Sequence, residues 1–248
     1  MPTEPTIIYE DDALLVINKP AGVLVHADGR SEEQTVAQWF LARYPQAKEV
    51  GEPQAGHDGE PLLRSGIVHR LDRETSGIMV LAKTQEAFTH LKAQFHDRLV
   101  QKEYRAFVYG AVRERWGTID RQIGRSASNF RLRSAQKGAR GALRDAVTDW
   151  ERIASGQYDG ELFSYLKLVP KTGRMHQLRV HLKAIDRPIV GDTLYAASFA
   201  ERSCNLGLER LALHAHILEF TLPDGARERF IAPLPQVFEN AAERIAED

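Results

Sequence analysis

The sequence predicts one domain of the α/β or α+β class. Apolar runs typical of buried strands are intermixed with amphipathic helical segments, and no linker divides the 248 residues. A chain of this length is large enough to bury a substantial core within a single domain. We therefore expect one domain over residues 1–248, with strands and helices packed around one sheet.

The N-terminal elements follow from apolar runs and turn signals. Residues 7–18 contain an apolar run that predicts a strand, Lys19–Gly22 is a turn signal, and Val23–Val25 predicts a second strand. Residues 32–44 carry apolar side chains at helical spacing and end before a proline, which predicts a helix. Residues 48–66 are rich in glycine, proline and acidic residues, and we expect a mobile surface loop there.

A nine-residue segment, His69–Gly77, lies between two apolar runs. The runs Ile67–Val68 and Ile78–Ala82 predict buried strands, so Asp72 is expected in a short loop at a strand end. Such a loop can hold a carboxylate in a fixed place while leaving it open to a ligand. The helical spacing of residues 85–99 then predicts an amphipathic helix.

The C-terminal half continues the mixture of strands and helices. Residues 104–112, 162–169 and 211–222 each predict a strand. Residues 175–185 predict a helix, and residues 239–248 predict a short terminal helix. Because these elements alternate without a separating linker, one sheet domain is favoured.

A one-sided charge distribution marks residues 121–144. This basic segment holds seven basic residues and no acidic one, and its members are Arg121, Arg125, Arg131, Arg133, Lys137, Arg140 and Arg144. Charge of one sign predicts a surface that binds a partner. The whole chain, with a formal charge of -1 and a pI near 6.8, carries no global signature of nucleic-acid binding.

Several classes of protein are disfavoured by composition. Cys204 is the single cysteine, so no intrachain disulfide is possible. The first twelve residues lack the regions of a signal peptide, and no apolar run reaches membrane-spanning length. The nine histidines match no zinc-site spacing. We therefore expect a cytoplasmic monomer with no metal, no cofactor and no membrane contact.

Five motifs resemble those of one enzyme family. They are N-K-P-x-G at residues 18–22, H-R-L-D-x-x-T-S-G at 69–77, K-x-Y-x-A at 102–106, T-G-R-x-H-Q-L-R-V-H at 172–181 and L-x-L-H-A at 211–215. The second motif resembles the catalytic motif of the RluA family of RNA pseudouridine synthases, and the resemblance extends over residues 7–233. It implies an α+β fold, with a central, mostly antiparallel sheet flanked by helices and loops. Many relatives carry a small RNA-binding domain before this core, and we expect none here.

The resemblance implies a reaction and assigns its residues. Pseudouridine formation breaks the glycosidic bond of uridine, rotates the base and rejoins it through carbon 5. This needs a carboxylate as nucleophile or base and a proton acceptor near carbon 5, without a metal or a redox step. In the family these roles fall to Asp72 and to Tyr104, which stacks on the target base. Arg179 is implied as the guanidinium that pairs with Asp72 and fixes its rotamer.

Contacts to RNA are expected from basic side chains. In the family, the equivalent of Arg70 enters the base stack where the flipped nucleotide has left. Arg174 precedes the start of the predicted helix, where a guanidinium and free backbone N–H groups can bind a phosphate, and His176 is a further expected RNA contact. The residues of the basic segment expected to hold RNA are Arg125, Arg131, Arg133, Lys137 and Arg140. Because flipping costs least in loops, we expect a structured tRNA or rRNA with loop uridines as the substrate.

Other interpretations of the same residues remain open. Asp72 could cap a turn, Tyr104 could be a core tyrosine, and the basic segment could be a solvated loop. A glycosidase or nucleosidase could use Asp72 with Glu74, although residues two apart are poorly placed to flank a bond. A non-catalytic RNA-binding protein is the alternative from another class. A serine hydrolase using Ser76 lacks the G-x-S-x-G turn.

Overall fold

The structure of the chain is a computed structural model that describes residues 4–27, 33–55, 61–63, 65–127, 129, 132–200 and 204–246. Its helices are α1 (Val36–Arg43), α2 (Gln85–His96), α3 (Gln177–Ala184), α4 (Ala197–Ala200) and α5 (Gln236–Ala246), with a 3₁₀ turn at Pro45–Glu49. Its strands are β1 (Thr6–Glu10), β2 (Leu14–Lys19), β3 (Pro53–Ala55), β4 (Pro61–Leu63), β5 (Ser76–Ala82), β6 (Gln101–Tyr109), β7 (Trp116–Asp120), β8 (Ile123–Arg125), β9 (Arg133–Ser134), β10 (Arg140–Arg144), β11 (Val147–Tyr158), β12 (Glu161–Pro170), β13 (Leu213–Thr221) and β14 (Arg227–Ile231).

The chain divides into two compact units. The first comprises residues 1–102 and 215–233, and the second comprises residues 103–214 and 234–248. The expectation of one domain over the whole chain stays a prediction. Among the described residues, no helix is both long enough and apolar enough to span a bilayer.

The first unit is built on strands in the order β1-β2-β5-β13, and β14 also pairs with β13. The pairs β1–β2, β2–β5 and β13–β14 are antiparallel. Strand β5 is buried at every position and β2 at nearly every one, as expected for apolar runs in central strands. Helix α2 begins at the N-cap Thr84, whose hydroxyl accepts from the backbone N–H of Ala87, and it buries Phe88 and Leu91.

The second unit is built on strands in the order β6-β12-β11-β7, all paired antiparallel. Its core includes the fully buried Phe107, Phe163 and Leu182. Phe238 of α5 meets Phe107 edge to face, with ring centroids 5.5 Å apart. A smaller sheet in the order β10-β8-β9 carries much of the basic segment.

Two predicted strands are absent. Residues 23–25 form no strand, because the carbonyl groups of Leu24 and Val25 accept from the first N–H groups of helix α1. Ile67 makes a single bridge to Leu81, so Ile67–Val68 is not a strand either. Both apolar runs are short, and short apolar runs do not distinguish a strand from a buried loop.

Other boundaries also differ from the predictions. Residues 48–66 contain the end of the 3₁₀ turn and the hairpin β3–β4, where a loop without regular structure was expected. Helix α3 begins at Gln177 because His176 has a φ of 56°, a left-handed conformation that a helix cannot contain. Helix α5 begins at Gln236, before the predicted start at Glu239.

Candidate active site

Asp72 lies in a tight turn of the first unit. The backbone N–H of Thr75 donates to the Asp72 carbonyl over 3.1 Å, so Arg73 and Glu74 are the central turn residues. Leu71 and Thr75 are buried on either side, whereas Asp72 is only half-buried. The carboxylate is therefore held just before strand β5, at the strand end that the sequence predicts.

Lys19 fixes the backbone of this turn. Its side chain is fully buried, and the ammonium donates to the carbonyl oxygens of Pro20 at 2.8 Å, Val23 at 2.8 Å and Arg73 at 3.1 Å. The N–H of Gly22 donates to the same Arg73 carbonyl at 2.9 Å. A buried ammonium needs such acceptors to offset its lost hydration. The N-K-P-x-G motif thus anchors the residue that follows Asp72.

The side chain of Arg73 makes a second link to the same turn. Its Nε donates to the Gly22 carbonyl over 3.0 Å, and its Nη2 lies 2.6 Å from a carboxylate oxygen of Glu33. Glu74, the second carboxylate of the glycosidase alternative, is exposed, and its Oε1 lies 3.7 Å from Arg73 Nε. The two residues that follow Asp72 in the turn, Arg73 and Glu74, thus have charged groups that already lie close to groups of opposite charge.

His69 packs as a neutral ring against strand β5 and helix α2. The imidazole stacks on Phe95 at 4.6 Å, and its Nε2 accepts from the backbone N–H of Val80 over 3.1 Å. Burial, together with the nearby charge of Lys102, lowers the pKa of His69 to about 3. Because Nε2 is an acceptor, the proton of the neutral ring resides on Nδ1.

Gly77 closes the motif because no side chain fits there. Its φ is 118°, and a Cβ atom would lie 2.1 Å from the carbonyl oxygen of Ala215 in β13. Glycine is therefore required by backbone conformation and by the close approach of β5 to β13. Of the predicted RNA contacts in this unit, Arg70 is exposed beside the turn.

Tyr104 lies on strand β6 of the second unit. It is half-buried, stands opposite Leu168 of β12 and packs against the hydrophobic core. The sequence prediction of a strand position for this tyrosine is confirmed. The position leaves part of the side chain accessible.

Arg179 forms a buried, two-pronged ion pair that the sequence did not predict. Arg179 lies on α3. Its Nε donates to Oδ2 of Asp192 and its Nη2 donates to Oδ1, each over 2.7 Å. Arg179 is 5% exposed and Asp192 2%. A planar guanidinium held by both oxygens has one fixed orientation. The predicted pairing of Arg179 with Asp72 stays a prediction.

Asp192 is itself held in a turn. Its Oδ1 accepts from the backbone N–H groups of Leu194 and Tyr195, each over 3.0 Å. The preceding Gly191 has a φ of 71°, and a Cβ there would lie 2.2 Å from the carbonyl oxygen of Arg210. The dipeptide Gly191–Asp192 after an apolar run is a turn signal that could have drawn attention to this residue.

Tyr195 links His176 to the basic segment. Its hydroxyl lies 2.8 Å from Nδ1 of His176 and accepts from the backbone N–H of Arg133 over 3.1 Å. The Arg179 guanidinium lies over the Tyr195 ring, 5.1 Å from its centroid. The buried tyrosine therefore joins the His176 side chain to the backbone of Arg133 in the basic segment.

Thr172, Gln177 and His181 of the T-G-R-x-H-Q-L-R-V-H motif make structural hydrogen bonds. The Gln177 amide accepts from the Thr172 hydroxyl over 2.7 Å and from the Arg174 N–H over 3.0 Å. Its Nε2 donates to the Val147 carbonyl over 3.0 Å. The fully buried His181 bonds to Thr148 over 2.9 Å, and burial lowers its pKa.

The predicted phosphate ligands differ in how far they are engaged. Arg174 is half-buried, and its Nε donates to the Asp145 carbonyl over 3.0 Å. Arg133 is half-buried on β9. The exposed members of the basic segment are Arg121, Arg125, Lys137, Arg140 and Arg144. Arg131 lies outside the described residues.

Within the part of the chain that the structure describes, no group of three or more His, Cys, Asp or Glu residues is arranged to hold a metal ion. Asp72 belongs to the first unit, and Tyr104 and Arg179 belong to the second.

Comparison with known proteins decides the family. The profile of the family described as RNA pseudouridylate synthase matches residues 13–184. That range contains the Asp72 turn, Tyr104 and Arg179. The chain belongs to the RluA family of RNA pseudouridine synthases. The family predicted from the motifs is therefore confirmed.

Relatives in bacteria align along nearly the whole chain. The chain is 38% identical over 237 residues to an uncharacterized RNA pseudouridine synthase of Synechocystis sp.. The alignment covers 94% of this chain and 66% of that protein. The chain is 37% identical over 248 residues to the ribosomal large subunit pseudouridine synthase D of Pseudomonas aeruginosa, covering 95% of this chain and 70% of that protein. The chain thus spans about two thirds of the length of these relatives.

Solved structures share the fold. The human RNA pseudouridylate synthase domain containing 1 superposes with a TM-score of 0.72 at 27% identity, covering 95% of this chain and 87% of the human chain. The human RNA pseudouridylate synthase domain containing 4 gives a TM-score of 0.70 at 26% identity, with 97% and 92% covered. The predicted α+β class is confirmed.

Proposed function

We propose that this chain isomerises uridine to pseudouridine in RNA, with Asp72 as the essential carboxylate. One observation carries the proposal. The family profile covers the whole H-R-L-D-x-x-T-S-G motif, and the structure holds its aspartate on a turn that Lys19 anchors. A carboxylate that is fixed but partly exposed suits a group that must meet a substrate.

Asp72 would act on the target uridine either as a nucleophile or as a general base. The detached uracil would then rotate before it rejoins the ribose through carbon 5. Tyr104 would stack on the base and accept the proton that carbon 5 loses. Arg179 would be the cation that keeps the Asp72 carboxylate in one rotamer. The pair with Asp192 supports this role, because two hydrogen bonds along one edge of the guanidinium already orient it.

The target nucleotide would leave the base stack to reach Asp72. Arg70 would occupy the vacated place, and its exposure beside the Asp72 turn supports that role. Arg174 and His176 would contact phosphates, and the exposed members of the basic segment would hold the RNA backbone. The Tyr195 hydroxyl would keep His176 and the basic segment together during binding.

We propose ribosomal RNA of the large subunit as the substrate class, ahead of tRNA. The support is that several relatives sharing 34% to 38% identity, such as that of Pseudomonas aeruginosa, are named ribosomal large subunit pseudouridine synthase D. The structural requirement is a loop uridine whose stacking is already weak.

Release of tritium from RNA labelled at carbon 5 of uridine tests the proposal. The purified chain should release tritium from large-subunit rRNA fragments and leave tRNA unchanged, and sequencing for pseudouridine in a strain that lacks the gene should show one or more missing sites. Release of free uracil would instead indicate a glycosidase, and binding without any tritium release would indicate a non-catalytic RNA-binding protein.

A further inference from the structure

A cavity of about 650 Å³ opens on the sheet of the second unit. Four basic residues line it, and these are Arg105, Arg115, Arg152 and Lys167; Glu151 lines it with them. Arg105 stands at a variable position of the K-x-Y-x-A motif, and none of the others belongs to a motif or to the basic segment. The cavity is large enough to take part of a ligand.

Strand register places a continuous row of side chains beside this cavity. Trp116 of β7 stands opposite Glu151 of β11, Glu151 stands opposite Lys167 of β12, and Lys167 stands opposite Arg105 of β6. Residues directly opposite each other in paired strands project from the same face of a sheet. The four side chains therefore share one face and span about 14 Å across the four strands.

This row of side chains lies on the opposite face of the sheet from Tyr104. Tyr104 and Arg105 are consecutive in β6, and consecutive side chains of a strand point to opposite faces. A ligand on the row would therefore not occupy the place of the target base at Tyr104.

The carboxylates near the cavity neutralise only part of its positive charge. Glu103 pairs with Arg105 and lies 3.7 Å from Lys167, and Glu151 lies 3.3 Å from Lys167. Two carboxylates thus stand against three cationic groups, those of Arg105, Arg115 and Lys167, because Arg152 follows Glu151 in β11 and projects from the other face of the sheet.

Trp116 adds a flat apolar surface to the same row. It is 75% exposed, whereas Trp39 of the first unit is 7% exposed. Strand β7 ends the strand order of its sheet, so the indole stands at the outer end of the row. An exposed large aromatic beside basic groups is the combination by which proteins bind single-stranded nucleic acid, with bases stacked on the ring and phosphates held by the cations.

We propose that this face binds a single-stranded segment of the substrate RNA, with phosphates at the cavity and an unpaired base stacked on Trp116. The identity of the ligand as RNA rests on the proposed function. The excess of positive charge and the exposed indole together favour RNA over an apolar protein partner. The surface would hold RNA that flanks the target loop and would contribute affinity without taking part in the reaction.

Equilibrium binding of a fluorescent oligouridylate and of the labelled rRNA fragment tests this surface. Trp116→Ala should weaken both by about 5- to 100-fold, since it removes one stacked base. Lys167→Gln should lower the slope of log affinity against log salt by about 0.7, since it removes one phosphate contact. Leu162→Ala, which removes an exposed side chain of β12, and Arg229→Gln, which removes an exposed charge of β14, are the matched controls and should bind as wild type.

An affinity of Trp116→Ala within twofold of wild type would overturn the proposal, as would a salt slope of Lys167→Gln equal to that of wild type or equal losses in the two controls. Urea unfolding of each variant verifies that the fold is retained. Tritium release separates this proposal from the proposed function. Trp116→Ala should keep the wild-type rate at saturating RNA and raise KM. If the wild-type chain released no tritium while Trp116→Ala still lost affinity, the RNA surface would stand and the isomerase assignment would fail.

Discussion

The ammonium group of Lys19 donates a hydrogen bond over 3.1 Å to the carbonyl oxygen of Arg73, the residue after Asp72. Two motifs that are 54 residues apart in sequence are thereby joined at the turn that carries the carboxylate. Because the same ammonium also binds the carbonyls of Pro20 and Val23, its position is fixed from three directions.

Replacing Lys19 should therefore weaken both the fold and the reaction. Lys19→Met leaves three carbonyl groups without this donor, and we expect the free energy of unfolding to fall by about 1–3 kcal/mol. The Asp72 turn loses its anchor, so turnover should fall at least about tenfold. Urea unfolding and tritium release measure the two effects. Lys92→Met removes an exposed ion pair with Glu52 and should change neither; equal effects in both variants would contradict the anchoring role.

Gly77 offers a test of steric requirement in the same motif. Gly77→Ala places a methyl group 2.1 Å from the Ala215 carbonyl at a φ of 118°, so the strands must move apart. We expect a loss of more than about 2 kcal/mol of unfolding free energy. Gly160→Ala is the matched control, because Gly160 has a φ of 77° and open space around its Cβ position. It should cost about 1 kcal/mol by conformation alone, and a cost as large as that of Gly77→Ala would remove the steric argument.

The sequence predicted those parts of the site that depend on local order along the chain. The long apolar run of β5, the helical period of α2 and the turn around Asp72 are all local signals, and the structure contains each of them. The short runs at residues 23–25 and 67–68 were predicted as strands, but their backbone groups are used by a helix start and by a single bridge.

Partners distant in sequence could not be predicted in the same way. The Asp192 carboxylate meets Arg179 across 13 residues, and the Lys19 ammonium meets the Asp72 turn across more than 50. Strand β11 was missed because most of its positions are only half-buried, so the sequence lacks the apolar run of a central strand. Such features depend on tertiary packing, which no local pattern records.

The Arg179–Asp192 pair should be expensive to break. Asp192→Ala leaves a buried guanidinium without its two acceptors, and we expect a loss of about 3–5 kcal/mol of unfolding free energy. Turnover should fall as well, because Arg179 loses its fixed orientation. The control is Glu219→Gln, which disrupts the exposed pair with Arg227 at 2.7 Å and should cost at most about 1 kcal/mol. Similar losses in the two variants would show that the pair does not order Arg179.

His69 should make the fold sensitive to acid. Its pKa is lowered to about 3 in the folded chain, so the unfolded chain binds the proton first as the pH falls below about 6.5. The contribution of the neutral His69 ring to the free energy of unfolding is complete above pH 6.5 and is lost progressively below that value. Between pH 7.5 and 5.0, the free energy of unfolding of wild type should fall by up to about 2 kcal/mol more than that of His69→Gln. The amide oxygen of the glutamine can still accept from the N–H of Val80.

Urea unfolding at the two pH values measures this difference. His96→Gln replaces an exposed ring and should keep the pH dependence of wild type. If wild type and His69→Gln lost the same free energy on acidification, His69 would not be the group responsible.

Tritium release by Asp72→Asn tests whether Asp72 is the carboxylate that performs the isomerisation. The substitution keeps the shape of the side chain and the turn hydrogen bond from Thr75, and it removes only the ionised carboxylate. We expect Asp72→Asn to unfold like wild type, to bind RNA within about twofold of wild type, and to release tritium at least about a thousandfold more slowly. Turnover by Asp72→Asn within tenfold of wild type would contradict this role of Asp72.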